Sequence, residues 1–301
     1  MKKKTILAVP AACFWSVIAV CAAGICAGSF WDLDISKALA DKTQLGTYFA
    51  TYSPFFAYCL FPAGGACLYT GLKQKGKAWK KVGVLLAVFS WFMAVYFSNS
   101  YFSKNVRPMF GYSVEAGTAF LSSAASWLLW AALYAWVPFA VARLLDDSDP
   151  TRLILVGAAL LIVCFMADVS MQWLKQVGSR PRYKYLLTLE DPASEFRNWY
   201  QMIPNLAGTN DNYMSWPSGH MSIVSVLFAL PVLTDCMKNA CPRKNITAFC
   251  LVCVFVLLCG YNRIHMTNHF LSDVCFGVLI VSSLTAGICT VFLKAADRGN
   301  S

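Results

Sequence analysis

Followed from one end to the other, the chain alternates between long, nearly charge-free apolar runs and short polar segments. The runs fall at about 6–31, 53–72, 82–103, 116–142, 153–174, 218–234, 246–262 and 270–293. They are continuously apolar and lack the period-two alternation of a lipid-facing barrel strand. Most reach the ~20 residues with which a helix crosses a ~30 Å hydrocarbon core. In that core a helix can pair all of its own backbone groups. The pattern predicts an all-α, polytopic transmembrane bundle of about eight spans, with the ends of the two short runs, 218–234 and 246–262, the least defined.

Composition agrees. The chain is 58% hydrophobic and 13% charged, against about 25% charged for a soluble domain. Nearly all of the thirteen cysteines lie in apolar runs, where they act as small soft hydrophobes. Cys250 and Cys253 have CxxC spacing but sit mid-span without a partner pair. The first run is long for the apolar region of a signal peptide and reads as a retained anchor.

With the N-terminus inside, the inner segments (Lys2 to Lys4, 73–81, 143–152, 235–245 and the tail) hold 15 Lys and Arg. The outer segments hold 10, four of which, Lys175, Arg180, Arg182 and Arg263, belong to a polar cluster described next. The positive-inside rule then predicts a multi-pass protein with both termini cytoplasmic, as in a bacterial cytoplasmic membrane. These anchors account for the net charge of +10 without a nucleic-acid partner. Two long polar segments, 175–217 and 260–274, fall on the outer face.

Three short stretches carry the unusual chemistry. "LKQVGSRPRY" (174–183) places Lys175, Arg180 and Arg182 close together, and "SWPSGHMSIV" (215–224) opens the sixth run. Pro217 suits a first helical turn, and Ser218 and Gly219 would present backbone N–H groups to an anion, with His220 at the edge. A plain helix cap explains the same Pro and Ser. "GYNRIHMTNHFLSDV" (260–274) holds Arg263, His265, His269 and Asp273, and so two of the three histidines in the chain. If the last helix begins near 269, His269 and Asp273 share a face. A carboxylate accepting from one imidazole nitrogen would leave the other as base or nucleophile. The simpler reading is a polar helix entry, at a depth where charge is costly. Clustered cations with two histidines on one membrane face point to a phosphoryl ligand, which Arg binds bidentately and Lys as a point charge. No carboxylate cluster or histidine spacing suggests a metal. Asp168, inside the fifth run, reads as a snorkelling or helix-pairing acid.

These stretches resemble the three motifs of the type 2 phosphatidic acid phosphatase (PAP2) superfamily, KxxxxxxRP, PSGH and SRxxxxxHxxxD. The middle one is complete in Pro217, Ser218, Gly219 and His220; the third has Arg263, His269 and Asp273, with Asn262 in place of Ser. The first has Lys175 and Arg182, with Tyr183 in place of Pro. Reading Arg180-Pro181 as the RP pair would put Trp173 in the Lys position, and the pair at Arg107-Pro108 has Ser100 there. His265 has no counterpart. The resemblance implies a metal- and cofactor-independent phosphatase. In it His269 is the nucleophile, Asp273 its orienting acid and His220 the general acid and base. Lys175, Arg182, Ser218, Gly219 and Arg263 hold phosphate, and Arg180 is a possible auxiliary. It further implies a six-helix catalytic core, placed at 82–301 with the outer-face loop 175–217, and two extra N-terminal helices within 1–81. The expected substrate is a lipid phosphate or diphosphate of the phosphatidic acid, phosphatidylglycerol phosphate, polyprenyl diphosphate or lipid A class, hydrolysed at the extracytoplasmic face. The alternatives are a lipid phosphotransferase using the same phosphohistidine, and a non-catalytic transporter or scaffold, which would have no need of the histidine pairing.

Overall fold

A computed structural model describes residues 5–106, 124–203 and 210–299. Lys2 to Lys4, Arg107-Pro108 and the start of the run at 116–142 lie outside the described residues. A two-residue hairpin (β1 Thr5–Ile6, β2 Val9–Pro10) leads into α1 (Ala11–Leu39). The second apolar run is a broken helix made of α2 (Gln44–Tyr52), α3 (Pro54–Tyr58) and α4 (Leu60–Leu72). Then come α5 (Lys77–Val106), α6 (Ala124–Leu144) and α7 (Pro150–Val177), the short α8 (Tyr183–Leu186), α9 (Gly219–Ser225), α10 (Leu230–Thr234), α11 (Pro242–His265) and α12 (Leu271–Gly299). Boundary chemistry is local. Asp149 caps α7 by accepting from the Arg152 amide ahead of Pro150, and Thr43 caps α2 by accepting from the Gly46 amide, each filling an orphan donor of the first turn.

Among the described residues seven helices are long and apolar enough to cross a membrane, which marks a multi-pass membrane protein. The expected count of about eight therefore resolves into seven long helices and one short apolar stretch, Gly219–Thr234. That stretch is divided by a 3₁₀ turn, Val226–Ala229. It is short because it is core: Met221, Val224, Phe228, Ala229 and Val232 are all buried, so neighbouring helices surround it and its length is not set by the bilayer. The outer helices instead expose Trp15, Phe30, Leu85, Phe89, Trp136, Phe139, Leu251 and Val291. So much apolar surface is a liability in water and suits a hydrocarbon solvent.

The centre is a close crossing of α4 on α7. A Cβ on Gly157 would lie 2.7 Å from the Gly64 carbonyl oxygen and 2.9 Å from the Leu68 amide nitrogen, so glycine sets the distance between the backbones, as small residues do where membrane helices meet. α1 lies along α12, and α9 is enclosed by α3, α7, α11 and α12. The polar connections collect at the two ends of the bundle. At one end the Asp41 amide donates to the His265 carbonyl and the Lys184 amide to the Thr267 carbonyl. At the other, Gln74 donates to the Asp147 carbonyl and Arg152 pairs with Asp235.

Candidate active site

α11 runs to His265, so Arg263 lies in its last turn. The chain then reverses before α12, with Thr267 in the left-handed region (φ 58°) and the amides of Asn268 and His269 donating to the Arg263 carbonyl. His269 thus sits in the turn. Its Nδ1 is 2.7 Å from the carbonyl oxygen of Ser215. A carbonyl only accepts, so Nδ1 carries the proton and Nε2 keeps its lone pair. Arg182 Nη1 approaches that lone pair at 3.4 Å. Burial drives the His269 pKa well below its usual value, and the charges of Arg182, Arg263 and Lys175 push the same way, against the Ser215 bond.

The expected bond from His269 to Asp273 is not made. Asp273 Oδ2 is 4.0 Å from His269 Nδ1 and instead accepts from Ser215 Oγ at 2.6 Å and from the Phe270 amide at 3.0 Å. The reason is where the helix begins. α12 starts at Leu271, two residues later than the shared-face reading requires, which puts Asp273 in the capping position of the first turn. Ser215 joins the two motif residues, with its hydroxyl on Asp273 and its carbonyl on His269.

Arg180, expected as a possible auxiliary phosphate ligand, is engaged with protein groups. It is fully buried, and all three of its nitrogens donate to protein groups. Nε donates to the Arg197 carbonyl, Nη1 to Asp273 Oδ1 at 2.6 Å and to Ser272 Oγ, and Nη2 to Asp32 Oδ2 at 2.9 Å. Its guanidinium carbon lies 4.3 Å from the centroid of the Phe270 ring.

Arg182 differs. Its Nε and Nη2 donate to the Asp211 carbonyl and carboxylate, and Nη1 is the group turned to His269. Lys184 binds the other Asp211 oxygen. Burial raises the Asp211 pKa, but Arg182, Lys184 and Lys175 outweigh it and hold the value at about 2. Backbone pairing fixes this arrangement, since the Arg180 and Arg182 amides donate to the Tyr213 and Asn212 carbonyls and the Ser215 amide donates to the Arg180 carbonyl. Lys175 Nζ donates to the Met214 carbonyl, and its Cε lies 3.1 Å from where a Gly219 Cβ would be. Ser218 caps α9, and its amide donates to the Asp273 carbonyl. His220 is buried, with Nε2 2.7 Å from Ser53 Oγ at the α2–α3 break. Arg263 lies within electrostatic range of both His220 and His269.

The structure thus gathers Lys175, Arg182, Arg263 and His269, with Ser218, Gly219 and His220 at the adjoining start of α9. Asp273 and Arg180 lie behind them. The two odd residues of the third motif have structural partners. Asn262 Nδ2 donates to the Gly46 carbonyl, and His265 Nδ1 donates to the Leu39 carbonyl while its ring stacks on Tyr261. Both tie α11 to the α1–α2 connection. Asp168 lines a separate small cavity with Tyr58, Phe97 and Ile223. Four residues escaped the motif reading: Asp32, Ser53, Asp211 and Ser215. Asp32 had a usable signal as an acid at the edge of an apolar run; a backbone carbonyl such as that of Ser215 leaves none.

A family model described as the PAP2 superfamily matches residues 150–297, from the first residue of α7 to the last turns of α12. No curated protein and no solved structure matches the chain.

Proposed function

The chain belongs to the PAP2 superfamily through residues 150–297, a family of phosphatase-type membrane proteins, and from that premise we propose that it hydrolyses a lipid phosphate or diphosphate through a phosphohistidine. The observation that carries this reading is the state of His269, with Nδ1–H held by the Ser215 carbonyl and the Nε2 lone pair beside Arg182. In the first step Nε2 attacks phosphorus and an N–P bond forms as the bond to the leaving oxygen breaks. His220 gives its proton to that oxygen. In the second step His220 takes a proton from water, the water oxygen attacks phosphorus and the N–P bond breaks, which regenerates His269 and releases phosphate. Lys175, Arg182 and Arg263 are the ligands of the phosphoryl oxygens, where charge spreads in the transition state and fixed donors act most strongly. Ser218 and the Gly219 amide complete the set.

Two further statements belong to the proposal. The Lys and Arg distribution supports cytoplasmic termini and an extracytoplasmic site. Phosphatidic acid, phosphatidylglycerol phosphate, polyprenyl diphosphate and lipid A are the substrate classes to try. The experiment is phosphate release from this panel by purified protein and by His220→Ala, with product analysis. Free phosphate supports hydrolysis. Transfer of phosphate to a second lipid would make the chain a phosphotransferase, and binding without turnover would make it a non-catalytic binder.

A further inference from the structure

Behind the clustered cations lies a buried trio of charges. Arg180 is enclosed between two carboxylates, Asp273 on α12 and Asp32 on α1, and all three side chains are sealed from solvent. Asp32 lies outside the family region, 150–297. Its Oδ2 accepts from Arg180 Nη2 and from Ser272 Oγ, and its Oδ1 accepts from the Ser272 amide at 3.0 Å. α1 comes this close because Gly28 faces Ser272: a Cβ there would fall 2.6 Å from Asp32 Oδ1 and 3.0 Å from the Ser272 amide nitrogen.

One carboxylate is enough to neutralise one guanidinium, and each additional buried charge is costly. Arg180 already has Asp273. The second acid leaves the trio one negative charge in excess. That excess sits on the Nδ1 side of His269, through Asp273 and Ser215, while Arg182 stands at Nε2. The other charged groups acting on His269 among the described residues are Lys175 on α7 and Arg263 on α11, with Asp211 bound to Arg182 and His220 on α9 within range of the same Arg263. If Asp273 were alone with Arg180, cations would dominate the surroundings of His269.

We propose that Asp32 is a positioning residue for the reaction. By sharing Arg180 it leaves Asp273 incompletely neutralised, so that negative charge stands behind His269 when its imidazole becomes cationic on taking the phosphoryl group. This rests on the reading of His269 as nucleophile. It differs from a purely structural role, in which Asp32 only fastens α1 to α12.

The test uses full-length protein in detergent micelles and a lipid phosphate that wild type cleaves. Turnover is expressed per site, counted by phosphohistidine trapped in an alkaline quench. Asp32→Asn is expected to lower kcat per site about tenfold, the size of one lost charge at this range, with KM within about twofold because no phosphate ligand is touched. Ser272→Ala removes hydrogen bonds from the same trio but no charge, and stays within about threefold of wild type. Asp32→Asn/Arg180→Gln restores the single negative charge and turns over faster per site than Asp32→Asn. The inference is overturned by wild-type turnover per site in Asp32→Asn, by an equal loss in Ser272→Ala, or by a double variant no faster than the single one. Where Asp32→Asn does not fold, the double variant decides alone: turnover within about thirtyfold of wild type supports the inference, and a larger loss overturns it. An inactive wild type would overturn the phosphatase reading together with this one, whereas an active wild type with an indifferent Asp32 overturns this one only.

Discussion

The carbonyl oxygen of Ser215 lies 2.7 Å from Nδ1 of His269 and fixes the tautomer of the imidazole. The nucleophile proposed for this site is therefore held by main chain. His269→Ala should lower kcat by at least about a thousandfold and abolish trapped phosphohistidine, because the covalent route is then closed. Substituting Ser215 should hurt less. Ser215→Ala keeps the carbonyl and loses only the hydroxyl bond to Asp273, so a loss of about tenfold, the value of one buried hydrogen bond, is expected. Rates of phosphate release from the two variants check both statements.

The depressed pKa of His269 has a pH consequence. In the proposed reaction the neutral form is the nucleophile, and burial together with Arg182, Arg263 and Lys175 disfavours the charged form. The acid limb of kcat/KM should therefore lie well below the ordinary histidine value of about 6.5. Arg182→Gln removes one of the opposing charges, so the limb should move up in pH even as the rate falls. The stability change has a defined sign. Below about pH 6.5 the unfolded chain takes up the proton first, so this group's contribution is lost as pH falls toward the folded pKa. A pH–rate profile whose acid limb is the same in Arg182→Gln and wild type would contradict the proximity of the two groups.

Much of this arrangement is legible in the sequence. The apolar runs give the helices, and the three polar stretches give Lys175, Arg182, Arg263, His269 and His220 on one face, where the structure gathers them. What escapes is set by helix ends and by long-range packing. A two-residue difference in where α12 begins moves Asp273 off the imidazole and onto Ser215, Arg180 and the Phe270 amide. Motif spacing picks Arg182 over Arg180 for the phosphate, but nothing in the sequence shows that Arg180 is sealed between the carboxylates of Asp32 and Asp273. Ser53 and Asp32 come from the N-terminal helices, and nothing near them in sequence names a distant partner.

Ser53 bears on the proton steps. Its hydroxyl is 2.7 Å from Nε2 of the buried His220, and it sits where α2 gives way to α3. In the proposed reaction His220 gives and takes a proton, so its ring must hold one orientation. Ser53→Ala should lower kcat by about tenfold, roughly one hydrogen bond to a group that becomes charged, and leave KM close to wild type. Ser53→Thr keeps the hydroxyl and should recover most of that loss. If Ser53→Ala instead changes KM alone, the hydroxyl belongs with the phosphate ligands.

In the proposed reaction Asp211 bears on substrate binding through Arg182. Its carbonyl and carboxylate take Nε and Nη2 of Arg182, which leaves Nη1 for the site, and its other oxygen holds Lys184. Held at about pKa 2 by these cations, it stays ionised through the physiological range, so the clamp on Arg182 does not titrate there. The side chain is 62% exposed, and solvent-screened pairs of this kind contribute less than about 1 kcal/mol. Asp211→Asn should accordingly raise KM only about threefold to fivefold, with kcat nearly unchanged. In wild type, salt should raise KM by screening both this pair and the approach of phosphate, and in the variant the salt dependence should be shallower. Equal salt slopes and an unchanged KM would mean that the backbone pairings of 180–182 with 212–215 hold Arg182 without help from the Asp211 carboxylate.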